Sequence, residues 1–166
     1  MLLRSGLSRV FARLLLPLCC GGLFLAAPSA PLAVARGHPL FAALLYLTFS
    51  PICHQLPERS FSYLGYPWAV CHRCSGIYLG LFVMSLVLPF IRSAGRCAII
   101  NPAWVILASL PIALDATLPF LGLWTNTPLT RFSTGLLFGT MVATLLYAGV
   151  MEIADAVCAR KQLIVY

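Results

Sequence analysis

Cys71-His-Arg-Cys-Ser-Gly-Ile-Tyr-Leu-Gly80-Leu-Phe-Val-Met-Ser-Leu-Val-Leu-Pro-Phe90 decides what kind of molecule this is. Beyond Arg73 the stretch carries no charged side chain. Twenty helical residues rise about 30 Å, the thickness of a bilayer's hydrocarbon core. Two cysteines, a histidine and an arginine crowd its first turn, so the segment reads as an apolar rod whose polar end opens at a membrane face.

The rest of the chain agrees. Of 166 residues, 61% are hydrophobic and only 9% charged, and the mean hydropathy is +0.95. Soluble domains carry about 25% charged residues, so a soluble fold of this size is excluded. The expected class is all-α: a polytopic helical membrane protein with about four transmembrane helices plus a short interfacial or re-entrant helix. It reads as one integral membrane domain, 1–166, in a cytoplasmic membrane of bacterial or archaeal type. Eleven Lys+Arg against four acids give a formal charge of +7. On so apolar a chain this charge speaks of orientation and lipid headgroups, with the bilayer as partner and no nucleic acid.

Outward from the opening stretch, the other segments take shape. Arg4, Arg9 and Arg13 precede an apolar run from Leu14 to about Val34. A basic start before an apolar run resembles a signal peptide, but Pro31 directly follows Ala-Pro-Ser-Ala (27–30), which disfavours cleavage there. The segment 1–37 is therefore expected to hold an uncleaved first transmembrane helix. Residues 38–52 are apolar but reach only about 22 Å as a helix, too short to cross. Residues 53–70 form a polar connection containing Pro and Gly. Further spans are expected from Pro102 to Gly122 and from Pro128 to about Ala156. Between them lies Thr125-Asn126-Thr127-Pro128, in which Asn or Thr caps the last helix.

Two helices echo each other. Arg73-Cys-Ser-Gly76-Ile-Tyr-Leu-Gly80 parallels Arg131-Phe-Ser-Thr-Gly135-Leu-Leu-Phe-Gly139. Glycines four apart let helix backbones approach closely in membranes; ordinary helix packing is the favoured reading, with Gly76/Gly80 and Gly135/Gly139 also candidate faces for partner helices. With residues 38–52 not crossing, both termini lie on one side with seven of the eleven basic residues: Arg4, Arg9, Arg13, Arg92, Arg96, Arg160 and Lys161. The positive-inside rule then makes the cysteine face extracytoplasmic. If the segment did cross, the counts would be six against five.

Seven cysteines make an odd total, which argues against a fully paired disulfide framework. Cys19 and Cys20 read as small hydrophobes of the first helix, and Cys97 and Cys158 carry no assigned role. Cys53, Cys71 and Cys74 differ because polar residues surround them. A Cys-x-x-Cys turn offers two thiolates to one tetrahedral ion, and Cys53 with His54 completes a possible set of four for zinc. His72 competes with His54, and a three-cysteine site with water is a further option. A site with an open position activates water, whereas a closed one only staples the fold. The same thiols support a redox reading, because a helix N-terminus and Arg73 would acidify Cys71. Haem, an iron–sulfur centre or a quinone stays open beside zinc. Glu58 is placed as a general acid/base next to a metal-bound water.

Asp115 is expected about 10 Å below the cysteine face, where a carboxylate needs a partner, and Arg131 is the nearest. Arg59, Arg73 and Arg131 share the cysteine face and could meet an anionic headgroup, phosphate or carboxylate. Asn126 joins Asp115 as an intramembrane polar residue.

Ile52-Cys-His-Gln-Leu-Pro-Glu-Arg-Ser-Phe61 and Val70-Cys-His-Arg-Cys-Ser-Gly-Ile-Tyr-Leu-Gly80, followed by Asp115, Asn126, Arg131 and Thr134-Gly135, resemble the membrane proteins grouped as domain of unknown function 2085. The resemblance covers roughly residues 38–140, the family-like core. The family pattern favours a small residue where His72 stands and Thr where Ser75 stands, which implies His54 rather than His72 as ligand. It implies several transmembrane helices and a Cys/His face, and no reaction. Three functions follow: a metal-binding membrane protein, a thiol–disulfide oxidoreductase using Cys71 and Cys74, and a structural or assembly subunit of a membrane complex.

Overall fold

The computed structural model describes residues 2–91 and 103–163, except for the side chains at 2–9, 11, 12, 158 and 160–163. Arg4, Arg9, Arg92, Arg96, Cys97, Cys158, Arg160 and Lys161, which enter the expectations above, therefore lie outside the described side chains. Among the described residues, five α-helices and a small hairpin follow in order: α1 (Leu2–Ala35), α2 (Pro39–Phe49), β1 (Ser60–Tyr63), β2 (Tyr66–Cys71), α3 (His72–Ile91), α4 (Ala103–Thr117) and α5 (Pro128–Leu163). Four stretches among the described residues are long and apolar enough to cross a membrane: Arg13–Ala35, His72–Ile91, Ala103–Leu121 and Pro128–Val157. The protein is a helical membrane protein, as composition and segment length led one to expect.

With eleven residues, α2 rises only about 17 Å and begins at Pro39, whose missing N–H costs nothing at a helix start. Four candidate spans of alternating direction put the start of α1 and the end of α5 at one end of the bundle. The C-terminal ends of α1 and α4, the N-terminal ends of α3 and α5, α2 and the hairpin therefore gather at the other end.

The hairpin is new relative to the all-α expectation. Ser60 pairs with Cys71, Ser62 with Pro67 and Tyr63 with Tyr66, with a bulge between Ser60 and Ser62. Its two-residue turn, Leu64-Gly65, has φ of 52° and 83°, the double left-handed geometry that suits a tight antiparallel turn. The segment 53–70 is thus more ordered than a polar connection, and the alternating aromatics around Leu64-Gly65 were the signal for it.

The core sits at this same end. Ala27 and Ala30 of α1, Phe49 of α2, Cys53, Ala69 and Val70 of β2 and Tyr78 of α3 form one buried cluster. Phe49 and Tyr78 meet ring to ring at 5.8 Å. Small residues on α1 let the hairpin and α3 approach closely, and that approach seals the inner side of the cysteine end.

The α3–α5 seam is the tightest. A Cβ on Gly76 would overlap the Phe132 carbonyl oxygen, and one on Gly80 would come within 2.5 Å of that of Leu136. Gly135 and Gly139 are blocked in the same way by the carbonyls of Arg73 and Ile77. The two glycine motifs are partners of each other, which corrects the expectation that Gly76/Gly80 and Gly135/Gly139 offer faces to helices of another protein.

Two helix ends are defined more closely than the sequence allowed. The α-helical part of α4 stops at Thr117 and continues as a 3-10 turn over Leu118–Leu121, because Pro119 has no N–H to donate. Gly122, at φ 67°, then closes the turn. Of the two caps offered to α5, Thr127 performs the task. Thr130 N–H donates to Thr127 Oγ1 at 3.2 Å, and Thr127 N–H donates back to Thr130 Oγ1 at 3.0 Å, a reciprocal box of the kind that holds helix starts. Asn126 is left for another role.

Candidate metal centre

Three elements deliver the three cysteines. Cys53 follows α2, its N–H donating to Phe49 O at 2.9 Å. Cys71 is the last residue of β2 and Cys74 lies in the first turn of α3, with no loop between strand and helix. This corner brings the Cys-x-x-Cys pair to one point, and the bend after α2 brings Cys53 to meet it. The three sulfurs all lie within 4.8 Å of one another. Tetrahedral zinc–thiolate bonds of about 2.3 Å imply sulfurs about 3.8 Å apart, so a small contraction would seat an ion. The Cys71 N–H donates to Cys53 Sγ at 3.1 Å, support of the kind that orients metal ligands from outside the coordination sphere. Hydrogen bonding with Cys53, and then with Cys74, holds the Cys71 thiol well below its ordinary range against the opposing push of burial.

Gln55 carries a role that the sequence reading missed. It adopts φ 53°, rare for a side-chain-bearing residue. Its Nε2 donates to Tyr46 O at 2.7 Å and to Ala69 O at 2.8 Å. These bonds tie the end of α2 to β2 and fix the bend that presents Cys53. The Tyr46 hydroxyl adds a bond to Pro67 O at 2.5 Å. The signal was the placement of Gln55 two residues after a cysteine, inside the longest motif.

The histidines divide. His54 lines the same cavity as the cysteines, but its nitrogens are not part of the mutually close ligand group found among the described residues. His72 is buried, with its ring 4.4 Å from that of Phe61 in an edge-on contact and its Nδ1 without a partner. It too lies outside that group. Glu58 is exposed in the 3-10 turn Pro57–Arg59 and is not part of the cavity wall, whereas Arg59 is.

A polar chain borders the same cavity through Arg73, Asn126 and Arg131. Asp115 pairs with Arg73, not with Arg131 as the topology alone had led one to expect. Arg73 NH2 lies 2.6 Å from Asp115 Oδ2, its Nε donates to the same oxygen at 2.8 Å, and NH2 also donates to Asp115 O at 2.7 Å. The reason is positional: Asp115 lies two residues from the end of α4, level with the first turn of α3. Arg131 donates through Nε and NH2 to Asn126 Oδ1, and Asn126 Nδ2 donates to Asp115 O at 2.8 Å. Arg73, Asp115, Asn126 and Arg131 thus form one network joining α3, α4 and α5. Cys53, Cys71 and Cys74 share a 470 Å³ cavity with Arg59, Arg73, Arg131 and Asn126.

A family model described as "Predicted membrane protein (DUF2085)" matches residues 53–145. A protein of Methanocaldococcus jannaschii, described as uncharacterised, is 42% identical over 98 residues, which cover 59% of this chain and 63% of that protein. A second, from Methanothermobacter thermautotrophicus and likewise described, is 36% identical over 102 residues, which cover 61% of this chain and 90% of that protein. The chain spans less than two thirds of the length of the first relative. No solved structure matches. More than half of the chain lies within the family match, and the chain belongs to the DUF2085 family of membrane proteins.

Proposed function

We propose that this membrane protein binds one soft transition-metal ion, zinc foremost, through Cys53, Cys71 and Cys74 at the face expected to be extracytoplasmic. The observation that carries the reading is the convergence, to within 4.8 Å, of three sulfurs from the bend after α2, the end of β2 and the first turn of α3. Close packing alone does not call for thiols at that point, and borderline-soft ions prefer them. The fourth position belongs to His54 after a side-chain rotation, or to water or a ligand from the cavity. A site of three protein ligands and one open position is the pattern of catalytic zinc, whereas closure by His54 makes it a structural staple. When bound, such an ion supplies Lewis acidity and acidifies a water. The protein's own part is to hold the thiols, to keep the inner side of the cluster dry with Phe49, Val70 and Tyr78, and to line the outer side with guanidinium groups. Glu58, exposed and off the cavity wall, has no place in this proposal.

Elemental analysis of protein purified in mild detergent tests it. About one metal ion per chain is expected in the wild type, with loss in Cys53→Ser and in Cys71→Ser/Cys74→Ser. A His54→Ala chain that keeps its metal assigns the fourth position to water or a cavity ligand. Absence of metal, with Cys71 and Cys74 cycling to a disulfide against a quinone, would transfer the site to membrane thiol–disulfide chemistry. Co-purification with a larger complex, the cysteines being dispensable, would make the chain an assembly subunit.

A further inference from the structure

The cavity wall has a charge asymmetry that the cysteines do not explain. Of its three guanidinium groups, Arg73 is neutralised by Asp115 at 2.6 Å. Arg131 rests on a neutral amide, Asn126 Oδ1, through Nε and NH2. That arrangement ties one edge of its fork and leaves NH1 for a ligand. Arg59, on the exposed Pro57–Arg59 turn, meets no carboxylate among the described residues. Two guanidinium groups with no salt bridge among the described residues therefore border one concavity. A divalent ion on three thiolates would leave that corner with a single net negative charge, so the wall keeps a surplus positive charge even with the metal seated.

Apart from His54, the remaining wall is apolar and open. Leu56 and Pro119 line it, and so do Ile52, 69% exposed, and Phe120, 86% exposed. The cavity's volume of 470 Å³ falls within the ~300–1,000 Å³ of small-molecule sites. We propose that this cavity binds an oxyanion of the phosphate class between Arg59 and Arg131, with Ile52 and Phe120 forming an apolar exit for an attached chain. Guanidinium forks suit phosphate oxygens in charge and in spacing. The Asp115–Asn126 bridge fixes Arg131 in advance, which lowers the entropy lost on binding. The inference uses the cavity of the metal reading but does not require the metal.

The test is calorimetric titration of the purified chain in an uncharged detergent with three probes: inorganic phosphate, short-chain phosphatidic acid and short-chain phosphatidylcholine. Metal content is measured on the same samples. Phosphatidic acid binding at least about tenfold tighter than phosphate, with phosphatidylcholine silent, supports the site and assigns it to a lipid headgroup. Equal binding of phosphate and phosphatidic acid supports the site and assigns it to a free anion. In either case Arg59→Gln and Arg131→Gln each weaken binding about tenfold or more, while metal content is unchanged. Arg59→Gln alters only an exposed turn, so its result does not depend on how well Arg131→Gln folds. No binding by either anion, phosphatidylcholine binding as tightly as phosphatidic acid, or affinity unchanged in Arg59→Gln overturns the proposal, and the metal measurement then stands or falls separately.

Discussion

Gln55 holds a backbone conformation that costs a side-chain-bearing residue roughly 1–2 kcal/mol, and its amide offsets this with bonds to Tyr46 O and Ala69 O. Gln55→Ala should lower stability by about 1–3 kcal/mol, since it leaves carbonyls short of a donor. Thermal unfolding in detergent, followed with metal content, should show both falling together. If the metal stays while the midpoint drops, the bend is not what presents Cys53. Asp115, 6% exposed, carries a second prediction at this scale. Asp115→Ala leaves Arg73 as a half-buried unpaired cation and should cost about 3–5 kcal/mol. The double change Arg73→Met/Asp115→Leu should recover much of that loss, because removing both charges removes the desolvation penalty as well. A double variant as unstable as the single one would show that the pair contributes more than mutual neutralisation. The sequence announced an intramembrane Asp with an Arg partner, and the choice between Arg73 and Arg131 followed from the level at which α4 ends.

Among elements, the α3–α5 seam is decisive. Gly135→Ala would drive a methyl group into the Arg73 carbonyl, and the backbones must part to admit it. A loss of about 1–3 kcal/mol is expected, along with loosening of Arg73 and Cys74 at the start of α3. Gly149→Ala, in the same helix but with nothing near the added carbon, should be neutral or slightly stabilising. Equal melting of the two variants would deny that close backbone contact holds the seam. The Gly-x-x-x-Gly pattern was visible in the sequence, yet either motif could have met an external helix. Their mutual fit depends on the relative rotation of two helices, which a local pattern does not carry. The hairpin was missed for a related reason. Its strands are short and its proline suggests a loop, while the pairing of Ser60 with Cys71 is a contact between distant positions.

For the whole molecule, four spans of alternating direction bring the start of α1 and the end of α5 to one side, and the positive-inside rule leads us to expect that side in the cytoplasm. A C-terminal fusion to a fluorescent protein should therefore glow in a bacterial host, and the matching alkaline phosphatase fusion should be inactive. The reverse pattern would turn the cysteine face inward and place the cavity against cytoplasmic anions. Orientation thus decides which pool of ligands the arginines sample.

The sequence by itself determined the membrane class, the number of crossings, the short second helix and the roster of unusual residues. It could do so because the bilayer sets a length and a polarity on each segment separately. Only the tertiary structure decided that Cys53 joins Cys71 and Cys74, that His72 turns away toward Phe61, that Arg73 and not Arg131 or Arg59 meets a carboxylate among the described residues, and that thiols and guanidinium groups share one cavity. Each of these depends on the relative depth and rotation of packed elements, and backbone contacts between residues distant in the chain fix both.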